Sequence, residues 1–293
     1  MIKKINKYKA EDKIMTVILY AFGIFTLVLL FLLCGYIIVN GLKDFKLEFL
    51  SFSRKGIGNQ FFNTVYLVFL ALLISTPLGI ATGIYLAEYA KDNIVNRFIR
   101  ICIETLSSLP SIVIGLFGAL VFIEYTGAQW NLMAGALAVS ILSLPLIATT
   151  TEDAFRALPS SYKKGSMCIG ATHWQSIYRV MLPACMPRII TGIILAAGRG
   201  FGEAAALLFT AGMSTNINWT QWDITSKQCA LNPFRPGETL ALYIWDLKSL
   251  SINPNAEALA NFSSAVLILM VLVFSLSARF LSSHLDKKSG IKK

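Results

Sequence analysis

Six long stretches of the sequence are rich in apolar residues, and they determine what the chain can fold into. About 20 such residues are needed for one helix to cross the roughly 30 Å of hydrocarbon in a bilayer. The stretches are continuously apolar and do not alternate every second residue, so they indicate helices and not the strands of a barrel. The sequence therefore predicts an all-α, polytopic membrane bundle with six transmembrane helices. The predicted spans are residues 14–39, 61–87, 101–123, 131–150, 189–211 and 262–282.

These spans leave no room for a separate soluble domain. We expect a cytoplasmic N-terminal segment (1–13), a single membrane domain (14–282) and a basic cytoplasmic tail (283–293). Two connections inside the membrane domain are long, at 151–188 and 212–257. The first span follows basic residues, as in a secretory signal, but it is much longer than the roughly 15 apolar residues of such a signal. We therefore expect an uncleaved anchor.

The charged residues are few and unevenly distributed. Only 14% of the residues are charged, yet 26 Lys and Arg against 16 Asp and Glu leave a net charge of +10. A soluble domain carries about 25% charged residues, so this composition excludes a soluble enzyme. With the N-terminus in the cytoplasm, 18 basic residues fall inside and seven outside, which is the positive-inside bias of membrane proteins. We expect both termini in the cytoplasm and, because the positive charge is scattered, no nucleic-acid partner.

The sequence carries no pattern that predicts catalysis or a metal centre. The five cysteines form no CxxC pair, and His173 and His284 are the two histidines. The motif GxxxxGK[ST] is also absent, so the chain has no P-loop for a nucleotide. We expect no disulfide and no cofactor in this chain, and we expect any energy from ATP to come from a partner.

One basic residue is not explained by membrane topology. Arg199 lies about ten residues into the predicted span 189–211, roughly 15 Å deep at 1.5 Å per residue. An arginine at this depth costs roughly 2.5–3.5 kcal/mol, so such residues face protein or water and often mark a substrate path. Glu203 follows four residues later, on the same face of a continuous helix. We predict that both line the path of an oxyanion; a purely structural ion pair is the alternative.

Prolines interrupt three predicted spans, at Pro77, Pro110 and Pro145. Each removes a backbone hydrogen bond to the carbonyl four residues earlier and permits a kink, which a membrane tolerates where a cavity or neighbouring protein supplies partners. The sequence around the second proline is also rich in hydroxyl groups. The candidate pathway or kink residues are Ser107, Ser108, Pro110 and Ser111.

The connection 151–188 is too long and too patterned to be a simple turn. A Pro-Ser-Ser motif predicts a helix start, Gly170 an interruption, and Thr172 the N-cap of a second short helix, which Pro183 and Pro187 end. Two short helices at an angle suit the groove of a soluble partner; a helix lying on the membrane is the alternative. The predicted docking face contains Met167, Ile169, Trp174 and Ile177, with Lys163, Lys164 and Arg179.

Three separated motifs resemble a known family. Residues 170–174 and 180–183 look like the EAA loop of ABC importer permeases, the coupling helix that docks on the ATP-hydrolysing subunit. Residues 109–118, 198–203 and 207–212 are similar to phosphate-specific permeases of the PstA type. The resemblance implies the MetI-like fold of type I importers.

The resemblance also assigns candidate coupling residues. The sequence Lys-Gly-Ser stands where the name of the loop expects Glu-Ala-Ala, and a similar Glu-Asp-Ala triplet at 152–154 lies too far upstream to replace it. The departure leaves docking plausible but removes the basis for a specific carboxylate contact. The candidate coupling residues are Lys164, Gly165, Ser166, Gly170, Ala171 and Thr172.

The resemblance implies a permease subunit of an ATP-driven phosphate importer in a bacterial cytoplasmic (inner) membrane. Its partners would be a second related permease, an ABC ATPase dimer that uses ATP and magnesium, an extracytoplasmic phosphate-binding protein, inorganic phosphate and membrane lipid. ATP binding would move the segment 161–176, and phosphate would pass Arg199 while Glu203 holds that side chain in place. An ion-coupled secondary anion carrier and a regulatory or scaffold protein of phosphate sensing are the alternatives. The outer connection 212–257 would receive the binding protein or cap the bundle.

Overall fold

The computed structural model describes residues 2–43, 45–53, 56–91, 93–213, 216–250 and 255–288, with the backbone alone described for 2–10 and 281–288. Some sequence predictions fall outside this part of the chain: the last residues of the basic tail, 289–293, and two of the basic residues assigned to the outside, Arg54 and Lys55.

The described residues form helices and connections and contain no β-strand. A 3-10 turn covers Leu47–Leu50, and wide π-type turns cover Tyr85–Tyr89, Leu120–Glu124 and Ile177–Met181. The α-helices are α1 (Ile2–Lys43), α2 (Gly58–Ile84), α3 (Ile94–Ser108), α4 (Ser111–Ala119), α5 (Leu132–Arg156), α6 (Ser160–Cys168), α7 (His173–Ser176), α8 (Leu182–Phe201), α9 (Ala205–Thr210), α10 (Leu240–Ser249) and α11 (Ala256–Lys288).

Among the described residues, five helical stretches are long and apolar enough to cross a membrane, and a bent pair makes a sixth. The predicted all-α membrane bundle is confirmed. The sixth span consists of Ile94–Ser108 and Ser111–Glu124, which meet at 101°. The five are Glu11–Lys43, Gly58–Tyr89, Leu132–Arg156, His173–Phe201 and Ala256–Phe280.

The predicted span 101–123 is interrupted at Pro110, as the sequence predicts, but by a sharp break between two helices and not by a kink within one helix. Leu109 and Pro110 are both extended, with φ/ψ of −67°/136° and −60°/137°. A proline disfavours helical geometry at the residue before it, and it is well suited to start the next helix. By contrast, Pro77 and Pro145 lie inside α2 and α5, which continue past them.

The predicted end of the second short helix at Pro183 and Pro187 is also wrong. Helical structure runs from His173 to Phe201 with Pro187 inside it. In the wide turn Ile177–Met181, the N–H of the following residue bonds to the carbonyl five residues back. Pro183 follows directly, where a proline, which has no N–H, is tolerated near a helix start.

The core is built around α5, which packs along α2 through small residues. A Cβ added at Gly79 would lie 2.8 Å from the Cβ of Ile147, and one added at Gly83 would lie 2.5 Å from that of Thr151. Small residues of this kind let helices approach closely within a membrane. Helices α8 and α11 complete the bundle, and α10 packs on α11 and α2 at one end. We call this the α10 end and the opposite one the α6 end.

The close contact at Gly83 leads to a first prediction. Leucine at this position would overlap Thr151 and the carbonyl oxygen of Ala148, which lies 2.6 Å from the added Cβ. Overpacking of a tight core costs about 1–3 kcal/mol, so G83L is expected to lower the thermal melting temperature of the detergent-solubilised protein. In the control G23L, the added Cβ meets nothing within 4 Å. Equal melting temperatures of the two variants would contradict this packing.

Candidate translocation path and coupling surface

Arg199 lies two residues before the end of α8, on an exposed side of the bundle. A Cβ added at Gly198 would meet nothing within 4 Å, and one at Gly202 would meet only the carbonyl oxygen of Arg199, at 3.9 Å. Gly200 points inwards, where an added Cβ would lie 3.3 Å from Val68. The glycine-rich segment therefore packs on one side and leaves open space around the guanidinium on the other.

The predicted helix 189–211 is interrupted, so Arg199 and Glu203 do not share one helix face. Helix α8 ends at Phe201, and Glu203 lies in the break before α9, with only 8% of its surface exposed. Its Oε1 accepts the N–H of Ala206 at 3.1 Å. Both side chains are described, and they form no ion pair within 4.0 Å. The role of both residues on a substrate path stays a prediction.

The interruption at Pro110 lies against the one at Glu203, because α4 packs on α9. A Cβ added at Gly115 of α4 would lie 2.7 Å from the Cα of Ala206. Two irregular stretches from distant parts of the chain therefore meet in the bundle. Of the predicted pathway serines, Ser107 and Ser108 are exposed at the end of α3, and Ser111 is half-buried in α4.

The connection between α5 and α8 forms the two short helices that the sequence predicts, α6 and α7. Gly170 has φ +89°, a backbone conformation that favours glycine, and it reverses the chain between them. The Thr172 hydroxyl accepts the N–H of Gln175, whose side chain accepts the N–H of Thr172 in return. The Oγ atoms of Ser166 and Ser176 lie 2.5 Å apart and join the two helices.

The α6–α7 segment exposes most of its predicted docking face. Ile169 is 87% exposed and Trp174 is 61% exposed. Ile177 is buried against Ile84 and Phe155, so its predicted place on that face is wrong: it lies on the inner side of the wide turn. Four of the six candidate coupling residues are exposed: Lys164, Gly165, Gly170 and Thr172. Ala171 is half-buried, and Ser166 is buried.

Glu88, a buried carboxylate that the sequence did not predict, lies in the wide turn after α2 and holds the α6–α7 segment to that turn. Its Oε2 accepts a hydrogen bond from Lys163 Nζ at 2.5 Å and lies 3.2 Å from His173 Nε2. The side chain is 9% exposed, and the neighbouring Tyr89 ring packs 4.9 Å from the imidazole. In the sequence, Glu88 is one acidic residue after an apolar run, a pattern equally typical of a charge at the membrane surface.

Glu152 is a second buried carboxylate at the α6 end. Its Oε1 forms ion pairs with Arg100 and with Arg156 Nε, the latter at 2.8 Å. Both guanidinium groups also donate to the carbonyl oxygen of Leu86. The Glu-Asp-Ala triplet therefore belongs to α5 and not to the coupling segment, in agreement with its distance from Gly170 in the sequence.

At the α10 end, buried polar groups fix the outer connection to the start of α2. Arg235, one of the seven basic residues assigned to the outside, is only 1% exposed, and its Nη2 donates to Asn63 Oδ1 at 2.6 Å. Glu238 accepts a hydrogen bond from Gln60 Nε2 at 3.3 Å. Burial lowers the pKa of Arg235 to about 10 and raises the pKa of Glu238 to about 7. This part of the outer connection caps the bundle.

The raised pKa of Glu238 predicts a dependence of stability on pH. An unfolded glutamate ionises near pH 4.3, whereas Glu238 stays protonated in the folded chain up to about pH 7. The folded state binds more protons over this interval, so the free energy of unfolding falls as pH rises from about 4.5 to 7. E238Q is expected to remove this slope and to raise the free energy of unfolding at pH 8 by about 3 kcal/mol.

Thermal and denaturant unfolding at pH 5 and pH 8 measure this slope. The matched control E257Q changes an exposed glutamate at the same end and is expected to leave it unchanged. The interpretation fails if E238Q and the wild-type chain lose the same stability between the two pH values.

The sequence matches a family of membrane transport proteins. A family model described as binding-protein-dependent transport system inner membrane component matches residues 79–290, most of the chain. The chain belongs to this family. It is therefore a multi-pass membrane protein and the permease subunit of a type I ABC importer, in which the ATPase is a separate subunit and the permease is not an enzyme.

Two curated relatives are similar over most of the sequence. A probable ABC transporter permease protein, YqgI of Bacillus subtilis, is 45% identical over 96% of this chain and 98% of its own length. The phosphate transport system permease protein PstA of Xylella fastidiosa is 35% identical over 78% of this chain and 75% of its own length.

Two solved structures share the fold. A chain of a bacterial alginate ABC transporter, in complex with a periplasmic protein carrying an alginate pentasaccharide, has a TM-score of 0.64 at 12% identity and covers 96% of each chain. A chain of the inward-facing MetNI methionine ABC transporter has a TM-score of 0.56 at 15% identity and covers 79% of this chain and 94% of its own. The predicted MetI-like permease fold is confirmed.

Proposed function

We propose that this permease is a subunit of an ATP-driven phosphate importer and forms half of its translocation path. The observation that carries the proposal is the exposed Arg199 in a segment with open space beside Gly198 and Gly202. Relatives named as phosphate transport permeases support phosphate as the substrate.

The chemistry of the site fits an oxyanion. A guanidinium presents a planar fork of N–H donors that matches two oxygens of phosphate. The Glu203 carboxylate accepts a backbone N–H of α9 and does not pair with Arg199, so it leaves the guanidinium available to a passing anion. Glu203 would then act by ordering the start of α9 rather than by holding the arginine.

The distribution of charge supports a cytoplasmic location for the α6 end, in the inner membrane of a bacterium. There, the exposed side chains of Ile169 and Trp174 would dock on one subunit of an ABC ATPase dimer, which uses ATP and magnesium. A second related permease would complete the path, and an extracytoplasmic phosphate-binding protein would deliver phosphate at the α10 end.

Coupling would pass through the contact of α6 and α7 with Glu88, in the wide turn after α2. Movement of the ATPase subunits displaces the α6–α7 segment, and the ion pair between Lys163 and Glu88 connects that segment to the end of α2. Because α2 packs closely on α5, a shift of α2 moves the centre of the bundle and opens or closes the path.

Transport by the reconstituted complex tests this function. In proteoliposomes that contain both permeases, the ATPase and the binding protein, we expect uptake of radioactive phosphate that requires ATP and is competed poorly by sulfate. Uptake that needs an ion gradient and no ATP would favour a carrier. Equal competition by sulfate would remove phosphate as the specific substrate.

A further inference from the structure

A basic cavity of about 520 Å³ lies at the α6 end, between the end of α2 and the first turns of α3. The proposed transport steps do not use it. Of the described residues that line it, four are cationic and none is acidic. The lining residues are Ala90, Lys91, Asn96, Arg97, Arg100 and Arg156.

Two of these arginines share one counter-ion. Arg100 and Arg156 both bind Oε1 of Glu152, and both donate to the carbonyl oxygen of Leu86. The single carboxylate of Glu152 thus neutralises only one of the two positive charges of these arginines. A guanidinium has five N–H donors, and the described contacts use two on each arginine. The remaining donors are available to a further acceptor.

The wall of the cavity is fixed by Asn96, which is 5% exposed. Its Nδ2 donates to the carbonyl oxygen of Lys91 at 2.8 Å, and its Oδ1 accepts the hydroxyl of Tyr85 at 3.0 Å. These bonds hold the backbone of Lys91 in place at the edge of the cavity. Asp92 is next in the sequence, and Glu152 binds two of the arginines; the four cations and these two carboxylates leave a net charge of +2.

We propose that this cavity binds a phosphate group, supplied either by inorganic phosphate or by the headgroup of an anionic phospholipid. A phosphate offers several oxygen acceptors to the clustered donors, and its charge balances the excess positive charge. The cavity is separate from the substrate path, because Arg199 lies roughly 25 Å along α8 from its start at the α6 end. The inorganic-phosphate source rests on the proposed function, whereas the lipid source does not.

Direct binding to the permease pair and its ATPase, without the binding protein and in the R199Q background, distinguishes the two sources. In nanodiscs of phosphatidylcholine alone, inorganic phosphate is titrated calorimetrically. In phosphate-free buffer, native mass spectrometry counts the phosphatidylglycerol molecules retained by the complex. K91Q and R156Q remove one cation each from the cavity, and K91Q changes an exposed side chain that folding does not require. R188Q is the matched control, an exposed arginine of α8 that does not line the cavity.

We expect one of the two probes to bind saturably and both cavity variants to weaken it by at least tenfold, while R188Q leaves it unchanged. Loss of phosphate binding assigns the cavity to inorganic phosphate, and loss of retained phosphatidylglycerol assigns it to lipid. The inference is overturned if neither probe binds, or if K91Q and R188Q bind both probes equally well. Because no transport is measured, these outcomes are independent of whether the complex imports phosphate.

Discussion

Phosphate uptake by the R199Q variant is expected to fall by roughly 10- to 150-fold. A hydrogen bond to a charged group contributes about 1.5–3 kcal/mol, and each 1.4 kcal/mol is a factor of ten. The side chain is exposed and forms no ion pair within the described residues, so its loss should not unfold the bundle. Initial rates of ATP-driven uptake in proteoliposomes measure the effect, with complex assembly checked by size-exclusion chromatography.

Two further variants separate the chemistry at Arg199 from a general loss of charge. R199K keeps the charge but loses the planar fork, and we expect intermediate uptake. R188Q removes an exposed arginine from the same helix and should transport normally. Normal uptake by R199Q would end the assignment of this residue to the phosphate path and would leave the family membership untouched.

The second large effect is expected at the tip of the coupling segment. I169D places a carboxylate at a side chain that is 87% exposed in this chain but buried, in our proposal, against the ATPase. Burying an unpaired charge costs several kcal/mol, so the ATPase should bind the permease at least about 100-fold more weakly. Pull-down of the ATPase with the solubilised permease pair, followed by a binding titration, measures this loss.

The control for this prediction is Y125D, which alters a side chain that is 80% exposed in the connection between α4 and α5, away from α6 and α7. Both variants should melt at the wild-type temperature, because neither side chain is part of the core. If I169D still binds the ATPase as Y125D does, the α6–α7 segment is not the docking surface.

Apolar runs predicted most of the fold, because a bilayer accepts few backbone arrangements. The apolar runs did not predict the places where the backbone turns inside an apolar stretch. At Pro110 the residues on both sides remain hydrophobic, so hydropathy alone does not distinguish a kinked helix from a 101° break. At Gly202 the helix ends because the chain must bring α9 against Gly115 of α4, a contact that is specified by distant residues.

The candidate site was predictable only in part, for a related reason. The presence of Arg199 in an apolar stretch and the Thr172 capping motif are local properties of the sequence, and both could be recognised there. The partners of Glu88, Glu152 and Glu203 depend on which helices meet. A carboxylate near the end of an apolar run looks the same in the sequence whether it reaches water or binds a lysine from another helix.

Helix α2 is attached to connections at both of its ends. Near its start, Asn63 and Gln60 bind Arg235 and Glu238, and the wide turn after its end carries Glu88, which binds Lys163. The helix and this turn together run from residue 58 to residue 89, roughly 48 Å at 1.5 Å per residue, which exceeds the thickness of the hydrocarbon core. The helix thus links the connections at the two faces of the membrane. A tilt of the helix that displaces one connection displaces the other as well.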